Sequence, residues 1–148
     1  MEIKPKLQVT GYRGIWGDTL NEEIVRKFGR AFALFTKEDI KKLARPHEGA
    51  GGENPTILIG RDGRESGIVI KNILINELEK LEINIIDGDI LPTPTILFAV
   101  RKHKYDGAII ITASHNPKEY NGVKFVTKEA LLTNEAQVEI MKKYYEHS

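Results

Sequence analysis

The sequence predicts an α/β fold in which helices cover both faces of a mostly parallel sheet. Short apolar runs rich in isoleucine, at residues 56–59 and 107–112, lack the alternation of a half-exposed strand, which is typical of strands buried on both faces. Segments with apolar residues at helical spacing separate these runs, and such an order implies right-handed crossover connections. The 148 residues match one domain that can bury a core of its own.

Two helices are predicted before the first of these strands. Asn21 followed by two glutamates is a typical helix start, and the next apolar residues fall on one helical stripe: Ile24, Phe28, Ala31, Phe32 and Phe35. The segment Thr36-Lys-Glu-Asp39 has the pattern of a capping box. It predicts a short second helix that carries Ile40, Leu43 and Ala44 and ends before Pro46. Residues 46–55 contain two prolines and three glycines, and we interpret them as a surface loop without a function.

Strands and helices alternate in the rest of the chain. The predicted elements are, in order, a strand at 56–59 closed by Gly60, a helix with its apolar stripe at Ile70, Ile73, Leu74, Leu78 and Leu81, a strand at 83–86, a turn at 88–94, a helix at about 95–102, a strand at 107–112, a strand at 123–126 and a helix at about 134–146. Ligands of such sheets bind outside the carboxyl ends of the strands. We therefore expect a site among the polar residues that follow Gly60, Asp87 and Thr112.

Composition excludes several classes of function. The 22 Lys and Arg residues nearly balance 21 Asp and Glu, for a net charge of +1, which argues against an electrostatic nucleic-acid binder. The chain has no cysteine, so a disulfide framework, a thiolate metal site and a cysteine nucleophile are excluded. No apolar run reaches the ~18 residues of a membrane span, and the first residues lack the apolar region of a secretory signal. We expect a cytoplasmic protein with neither a membrane nor a nucleic-acid partner.

The candidate chemistry lies in Thr112-Ala-Ser-His-Asn-Pro117, which directly follows an apolar strand, with Asn121-Gly122 and Lys124 downstream. Asn-Pro and Asn-Gly pairs favour turns, which would bring Lys124 near the Ser114 hydroxyl. In the alternative interpretation, Ser114 and Asn116 only hydrogen-bond the turn, while His115 and Lys124 are solvated. Serine hydrolysis fits poorly, because the segment lacks a Gly-x-Ser-x-Gly elbow and a histidine adjacent in sequence is not thereby the base of a triad.

This segment resembles the phosphoserine loop of the α-D-phosphohexomutases, the family of phosphoglucomutase, phosphomannomutase and phosphoglucosamine mutase. Three further segments resemble family motifs in the same order: Gly11-Tyr-Arg13-Gly14-Ile-Trp-Gly17, Gly60-Arg61-Asp62-x-Arg64-x-Ser66 and Gly88-x-x-x-Pro92-Thr93-Pro94. The sequence departs from the family pattern at Val9, Tyr12 and Gly63, none of which removes a charged or nucleophilic group. The resemblance spans nearly the whole chain and implies domain I of the family, a three-layer αβα domain with a mixed, mostly parallel sheet.

The resemblance also implies an activity, that of an isomerase acting as an intramolecular phosphotransferase. Ser114 would carry a phosphoryl group, donate it to a hexose phosphate to form a bisphosphate, and recover the other phosphate, which moves phosphate between O1 and O6. Lys124 and Arg13 match positions for proton transfer, charge stabilisation and substrate binding. Lys124 is the better general acid or base, since arginine stays protonated. His115 and Asn116 would orient the phosphate.

The implied cofactors are Mg²⁺ and an activator of the glucose 1,6-bisphosphate type. A phosphoserine carries roughly −1.5 to −2 charge and needs a cation to neutralise it. The resemblance makes the phosphate on Ser114 the one metal-binding position of this chain, with aspartates of another domain completing the site. Asp87-Gly-Asp89 is superficially similar to the family's aspartate-rich metal loop, but it lacks the third aspartate and the arginine. We interpret it as a turn at a strand end.

Other polar residues receive structural interpretations. Arg61, Asp62 and Arg64 could contact phosphate, but the favoured role is an ion-paired cluster that fixes the loop and supports the wall of the active site. Three of the histidines show no ligand spacing with one another and are predicted to be solvated: His47, His103 and His147.

We expect residues 1–148 to form domain I alone, with domains II–IV absent and little or no mutase activity in the isolated chain. The expected partners are a hexose phosphate and the remaining domains of the same enzyme. One alternative is a stand-alone phosphate-binding or scaffolding module without turnover. Another is a hydrolase or phosphatase that uses Ser114 and releases inorganic phosphate or forms an acyl intermediate. The sequence leaves the hexose open, because the loop that would select it has no counterpart here.

Overall fold

A computed structural model describes residues 2–42, 54–130 and 133–146. In these ranges the chain forms a five-stranded sheet with helices on both faces, so the predicted α/β fold is confirmed. The strands are β1 (Tyr12–Ile15), β2 (Thr56–Arg61), β3 (Asn84–Ile90), β4 (Gly107–Ile111) and β5 (Tyr120–Thr127). The helices are α1 (Glu22–Lys42), α2 (Ser66–Lys80), α3 (Thr93–His103) and α4 (Asn134–Glu146). No helix of these ranges is both long and apolar enough to cross a membrane.

The sheet is mixed, with the strand order β1-β5-β4-β2-β3. Strand β2 pairs in parallel with β3 and with β4, whereas β5 pairs antiparallel with both β4 and β1. Two of the four strand pairings are therefore parallel and two are antiparallel. The short strand β1 was not predicted, because its four residues include an arginine and a glycine and form a strand only by pairing with β5.

Three helices pack on one face of the sheet and one helix packs on the other. The larger core joins α1, α2 and α4 to alternate side chains of the central strands, with Phe28, Phe32 and Phe125 at its centre. The smaller core places Ile96 and Val100 of α3 against the opposite face of β2, β4 and β5. α3 is the one helix described on that face, and no residue of β1 belongs to its core.

The two helices predicted before β2 form one continuous helix, α1. The predicted start is confirmed, since the Asn21 side-chain oxygen accepts the backbone N–H of Ile24 at 3.0 Å. The predicted capping box is wrong: Thr36 is buried, and its hydroxyl donates to the Phe32 carbonyl oxygen at 2.8 Å. A threonine that bonds the preceding turn lies inside a helix and does not start one. The predicted positions of Leu43 and Ala44, and residues 46–53 of the predicted loop, lie outside the described residues.

Strand β3 continues through the segment that was predicted to be a strand-end turn. Ile59 of β2 pairs with Asp87 and the next residue, Gly60, pairs with Asp89, so Gly88 is the extra residue of a β-bulge. Asp89 has a positive φ of 52°, a conformation that aspartate tolerates better than most residues. The strand prediction at 83–86 was therefore too short, because a bulge breaks the local pattern without ending the pairing.

The carboxylates of this bulge are neutralised by the chain itself. The Lys71 ammonium lies 3.0 Å from Asp87 and 3.2 Å from Asp89, and the Arg61 Nε lies 2.9 Å from Asp89. Hydrogen bonds from Lys71 and then from Arg61 hold the pKa of Asp89 below its ordinary value. The same carboxylates raise the pKa of Lys71. The segment is thus an internal ion cluster within a strand, and not the strand-end turn that was predicted.

Candidate active site

The candidate serine lies on the loop that joins β4 to β5. The backbone N–H of Thr112 donates to the Gly122 carbonyl oxygen at 3.0 Å, so the two strands stay together up to the loop. Inside the loop, the N–H of Asn116 donates to Ala113 and that of Tyr120 donates to Pro117, each at 3.0 Å. The predicted turn at Asn116-Pro117 falls in this loop, whereas Asn121-Gly122 was wrongly predicted as a turn and belongs to β5.

Ser114 stands exposed at the bend of this loop, with a positive φ of 51°. A left-handed backbone is costly for a side chain other than glycine and persists only where the surroundings hold it. Its backbone N–H donates to the Thr112 hydroxyl at 3.1 Å. The Thr112 hydroxyl in turn donates to the Asp62 carboxylate at 2.8 Å. The strained serine is thus tied to the segment that follows β2.

Arg13 reaches the serine from β1, on the far side of β5. Arg13 and Gly122 are register partners, and a Cβ added at Gly122 would lie 3.0 Å from the Arg13 Cγ and 2.7 Å from the Thr112 carbonyl oxygen. Glycine at this position therefore lets the arginine stem cross the strand. The guanidinium donates to the Ser114 hydroxyl oxygen at 3.1 Å and to the Asn116 side-chain oxygen at 3.3 Å.

The charge of Arg13 is not balanced by a carboxylate. No ion pair joins Arg13 to an acidic side chain within residues 2–42, 54–130 and 133–146, and its buried Nε has no hydrogen-bond partner there. A cation that touches a serine hydroxyl without a counterion creates a local positive potential at that oxygen. The arrangement is suited to hold an anionic group, such as a phosphate, on Ser114.

Lys124 shares a sheet face with Arg13 but does not touch the serine. Lys124 lies two residues after Gly122, the register partner of Arg13, and side chains two residues apart in a strand point to one face. Lys124 is half-buried, and its side chain makes no hydrogen bond or ion pair with any residue in the described part of the chain. His115 is exposed. The structure therefore brings together Arg13, Ser114 and Asn116, whereas neither the Lys124 nor the His115 side chain hydrogen-bonds the Ser114 hydroxyl.

The predicted ion-paired cluster is present, but it divides in two. Arg61 turns to Asp89, as described for the bulge, whereas Arg64 pairs with Asp62 at 3.3 Å. Arg64 also donates to four backbone carbonyl oxygens of the serine loop. The distances are 2.9 Å to Ser114, 2.7 Å to Asn116, 2.5 Å to Pro117 and 3.1 Å to Tyr120.

Sequence reasoning missed the structural role of Asn121. Its side chain is fully buried, and its amide nitrogen donates to the Ser66 hydroxyl at 2.8 Å while its oxygen accepts the Gly122 N–H at 2.9 Å. These bonds tie the start of β5 to the first residue of α2. The signal available in the sequence was the Asn-Gly pair, which indicates a turn more often than a buried amide.

The side chains of the described residues do not form a metal site by themselves. No group of three or more His, Cys, Asp or Glu side chains in these ranges could hold a metal. The Ser114 hydroxyl lies against a guanidinium, which disfavours a second cation until the serine carries a phosphate. His103 stacks on Tyr105 with 5.4 Å between ring centroids, and it remains exposed as predicted. His47 and His147 lie outside the described residues.

The sequence of the chain matches the model of a known protein family. The model described as phosphoglucomutase/phosphomannomutase, alpha/beta/alpha domain I, matches residues 4–148. A phosphoglucomutase/phosphomannomutase of Thermococcus kodakarensis is 39% identical over 78% of this chain and 23% of its own length. A phosphoglucosamine mutase of Pediococcus pentosaceus is 36% identical over 88% of this chain and 27% of its own length. The chain therefore spans about a quarter of these relatives.

Solved structures share the fold. A phosphoglucomutase/phosphomannomutase family protein of Burkholderia thailandensis superposes with a TM-score of 0.75 and 28% identity, covering 95% of this chain and 30% of that chain. A protein of Thermus thermophilus superposes with a TM-score of 0.82 and 23% identity, over 97% of this chain and 30% of that chain. The five-stranded mixed sheet and its helices thus recur in larger proteins.

Proposed function

The chain belongs to the phosphoglucomutase/phosphomannomutase family as its alpha/beta/alpha domain I, and we propose that it supplies the phosphoserine loop of a mutase. This enzyme would move phosphate between O1 and O6 of a hexose phosphate through a bisphosphorylated sugar. The observation that carries the proposal is the Arg13 guanidinium, which donates to the Ser114 hydroxyl oxygen and has no carboxylate partner in the described residues. Such a cation stabilises a charged phosphate on that oxygen more strongly than it stabilises a neutral hydroxyl.

The transfer itself needs positioning and charge stabilisation more than a strong nucleophile. A sugar hydroxyl attacks the phosphorus of phosphorylated Ser114, a new P–O bond forms to the sugar, and the bond between phosphorus and the serine oxygen breaks. Arg13 stabilises the charge on the transferring oxygens and on the departing serine oxygen. After the bisphosphate reorients, the other phosphate returns to Ser114 by the reverse chemistry.

The proton balance of this step assigns a role to Lys124. The attacking hydroxyl loses a proton and the serine oxygen gains one, so a group that can both give and take a proton is required. Lys124 lies on the sheet face of Arg13 and has no competing partner in the described part of the chain. Arginine cannot serve, because it does not deprotonate in proteins.

Asn116 and His115 have separate roles in this proposal. The Asn116 side-chain oxygen accepts one N–H of the Arg13 guanidinium, so Asn116 orients the arginine that faces the phosphate. His115 is exposed and adjacent to the serine in the chain. Its ring can donate a hydrogen bond to a phosphate bound at the surface. Both residues therefore belong to the substrate-binding side of the site.

Among the residues that the structure describes, Mg²⁺ would be held only through the phosphate on Ser114. The carboxylates that complete its coordination would come from other domains of the same enzyme, since no metal-binding cluster occurs within the described ranges. When bound, the ion supplies positive charge at a phosphate oxygen. For the same reason we expect residues 1–148 alone to give little or no steady conversion of glucose 1-phosphate to glucose 6-phosphate.

The proposal is tested by the mass of the complete encoded polypeptide after incubation with glucose 1,6-bisphosphate and Mg²⁺. We expect a gain of one phosphoryl group, located at Ser114, and no gain in the Ser114→Ala variant. Ser66→Ala is the matched control, because Ser66 also contacts this region, through Asn121, and should leave the adduct unchanged. An unmodified wild-type protein would contradict the proposal and favour a phosphate-binding module, whereas release of inorganic phosphate would favour a phosphatase.

A further inference from the structure

We propose that Arg64 is the positioning residue of the serine loop: it holds residues 114–120 in the conformation in which the Ser114 hydroxyl meets Arg13. The inference rests on the proposed function, because the conformation matters for transfer to and from Ser114. It assigns a separate task to a residue that touches neither the serine hydroxyl nor Arg13.

The first argument is the use of every donor of the Arg64 side chain. A guanidinium has five N–H donors in a fixed plane. In this structure Nε faces Asp62, Nη1 faces the carbonyl oxygens of Pro117 and Tyr120, and Nη2 faces two more loop carbonyl oxygens. Five acceptors therefore use all five donors. Since none remains for a substrate phosphate, Arg64 acts on the loop and not on the ligand.

The second argument is burial. The Arg64 side chain is 13% exposed, so its charge is largely removed from water and is compensated by Asp62 and by the carbonyl dipoles. Loss of a buried partner leaves the remaining polar groups unsatisfied, which destabilises the arrangement. Four loop carbonyl oxygens that point to one place would otherwise repel one another.

The third argument is the backbone strain at Ser114. It is opposed by the Arg64 clamp, by which we mean the five hydrogen bonds from the Arg64 side chain to Asp62 and to four loop carbonyl oxygens. Ser114 has a positive φ, a conformation that persists only when its surroundings hold it. Arg64 binds the Ser114 carbonyl oxygen directly, and its partner Asp62 accepts the Thr112 hydroxyl that receives the Ser114 N–H. Both sides of the strained residue are therefore held by the Asp62–Arg64 pair, which comes from the segment after β2.

Arg61 provides a matched control for these arguments. It lies three residues before Arg64, its side chain is 7% exposed, and it also pairs with an aspartate, Asp89. Its further bond goes to the carbonyl oxygen of Asp62 and none goes to the serine loop. Truncation of either arginine removes a buried, paired cation, but only Arg64→Ala removes the clamp.

The experiment compares Arg64→Ala, Arg64→Lys and Arg61→Ala in the complete encoded polypeptide. Hydrogen exchange is measured at the amides of Asn116 and Tyr120, which bond inside the loop, relative to amides of β4. We expect exchange in Arg64→Ala to be roughly tenfold faster at the loop alone, and phosphorylation of Ser114 to be about 100-fold slower. Arg61→Ala should change loop and sheet amides alike. Arg64→Lys should resemble Arg64→Ala, because a single ammonium cannot replace a planar fork.

Chemical rescue gives a readout that general destabilisation does not produce. Millimolar guanidinium should restore phosphorylation in Arg64→Ala and leave Arg61→Ala unchanged. If Arg64→Ala does not fold, Arg64→Lys, which keeps a buried charge, is compared with Arg61→Ala in its place. Equal loop exchange in the Arg64 and Arg61 variants would overturn the inference. A wild type that takes up no phosphoryl group would instead overturn the proposed function, while the exchange data would still decide whether Arg64 positions the loop.

Discussion

The serine loop and the bulge of β3 differ in how their charges are balanced. At the bulge, Asp87 and Asp89 face Lys71 at ion-pair distances, so the chain itself neutralises its carboxylates. At the serine loop, Arg13 touches the Ser114 oxygen and finds no carboxylate within the described residues. A completed ion cluster is typical of a structural role, whereas a cation left without a counterion indicates a place for an anionic ligand.

The largest expected effect comes from removing the unbalanced cation. Arg13→Ala should slow phosphoryl transfer to Ser114 by about 1000-fold, since an arginine at the transferring group supplies charge stabilisation of that order. The measurement is the rate of phosphorylation by glucose 1,6-bisphosphate. Arg26→Ala, at an exposed ion pair on α1, is the control and should keep the wild-type rate. A normal rate in Arg13→Ala would remove the contrast between the two regions.

A smaller effect is expected at Lys124. Lys124→Met keeps the stem volume and removes the ammonium, and it should slow the same reaction by about 100-fold, the lower range for loss of a general acid or base. Lys118→Met, at an exposed position of the loop, is the matched control. An unchanged rate in Lys124→Met would assign proton transfer to another group.

The smallest expected effect lies at the bulge and concerns stability. The pKa of Asp89 is lowered chiefly by Lys71 and then by Arg61, so its ionised form stabilises the fold. This contribution is fully present above the ordinary aspartate pKa of about 4 and is lost as the pH falls through the lower value of the folded state. Asp89→Asn should therefore lower the Tm slightly at neutral pH, and the difference should vanish in acid.

Thermal unfolding as a function of pH checks this prediction, with Asp18→Asn as the control at an exposed position. The rate of Ser114 phosphorylation should be the same in Asp89→Asn as in the wild type. A slower rate in Asp89→Asn would show that the bulge and the serine loop do not act as separate regions.

The sequence predicted the local features of the fold well. Helix α4 has the predicted bounds, and Asn21 caps α1 as expected. Errors arose where burial or strand pairing overruled a local signal. Thr36 bonds within a continuous helix, and the Asp87-Gly-Asp89 segment stays paired with β2 through a bulge. Capping and turn propensities are weak compared with the burial of an apolar face or the completion of a ladder of hydrogen bonds.

The candidate site was predictable in its residues and only partly in its geometry. The loop motif indicated Ser114, and the resemblance of a separate segment to a family motif indicated Arg13, about 100 residues away along the chain. The closeness of Lys124 to the serine was expected from an Asn-Gly turn, but Asn121 lies in β5 and the contact is absent from this structure. An ion-paired cluster that fixes the loop was predicted for Arg61, Asp62 and Arg64, but not that Arg64 alone binds four loop carbonyl oxygens, because every residue type carries the same backbone carbonyl group.

By itself the sequence determined the fold class, the order of most elements and the loop that carries the candidate serine, because hydrophobic periodicity and short motifs are local properties of the chain. Only the tertiary structure decided the antiparallel pairing of β1 with β5, which delivers Arg13 to Ser114. It also decided which charges are balanced, since Lys71 meets Asp89 and Arg64 meets the loop across many intervening residues. Coulomb and hydrogen-bond energies depend on distance in space, which a sequence does not record.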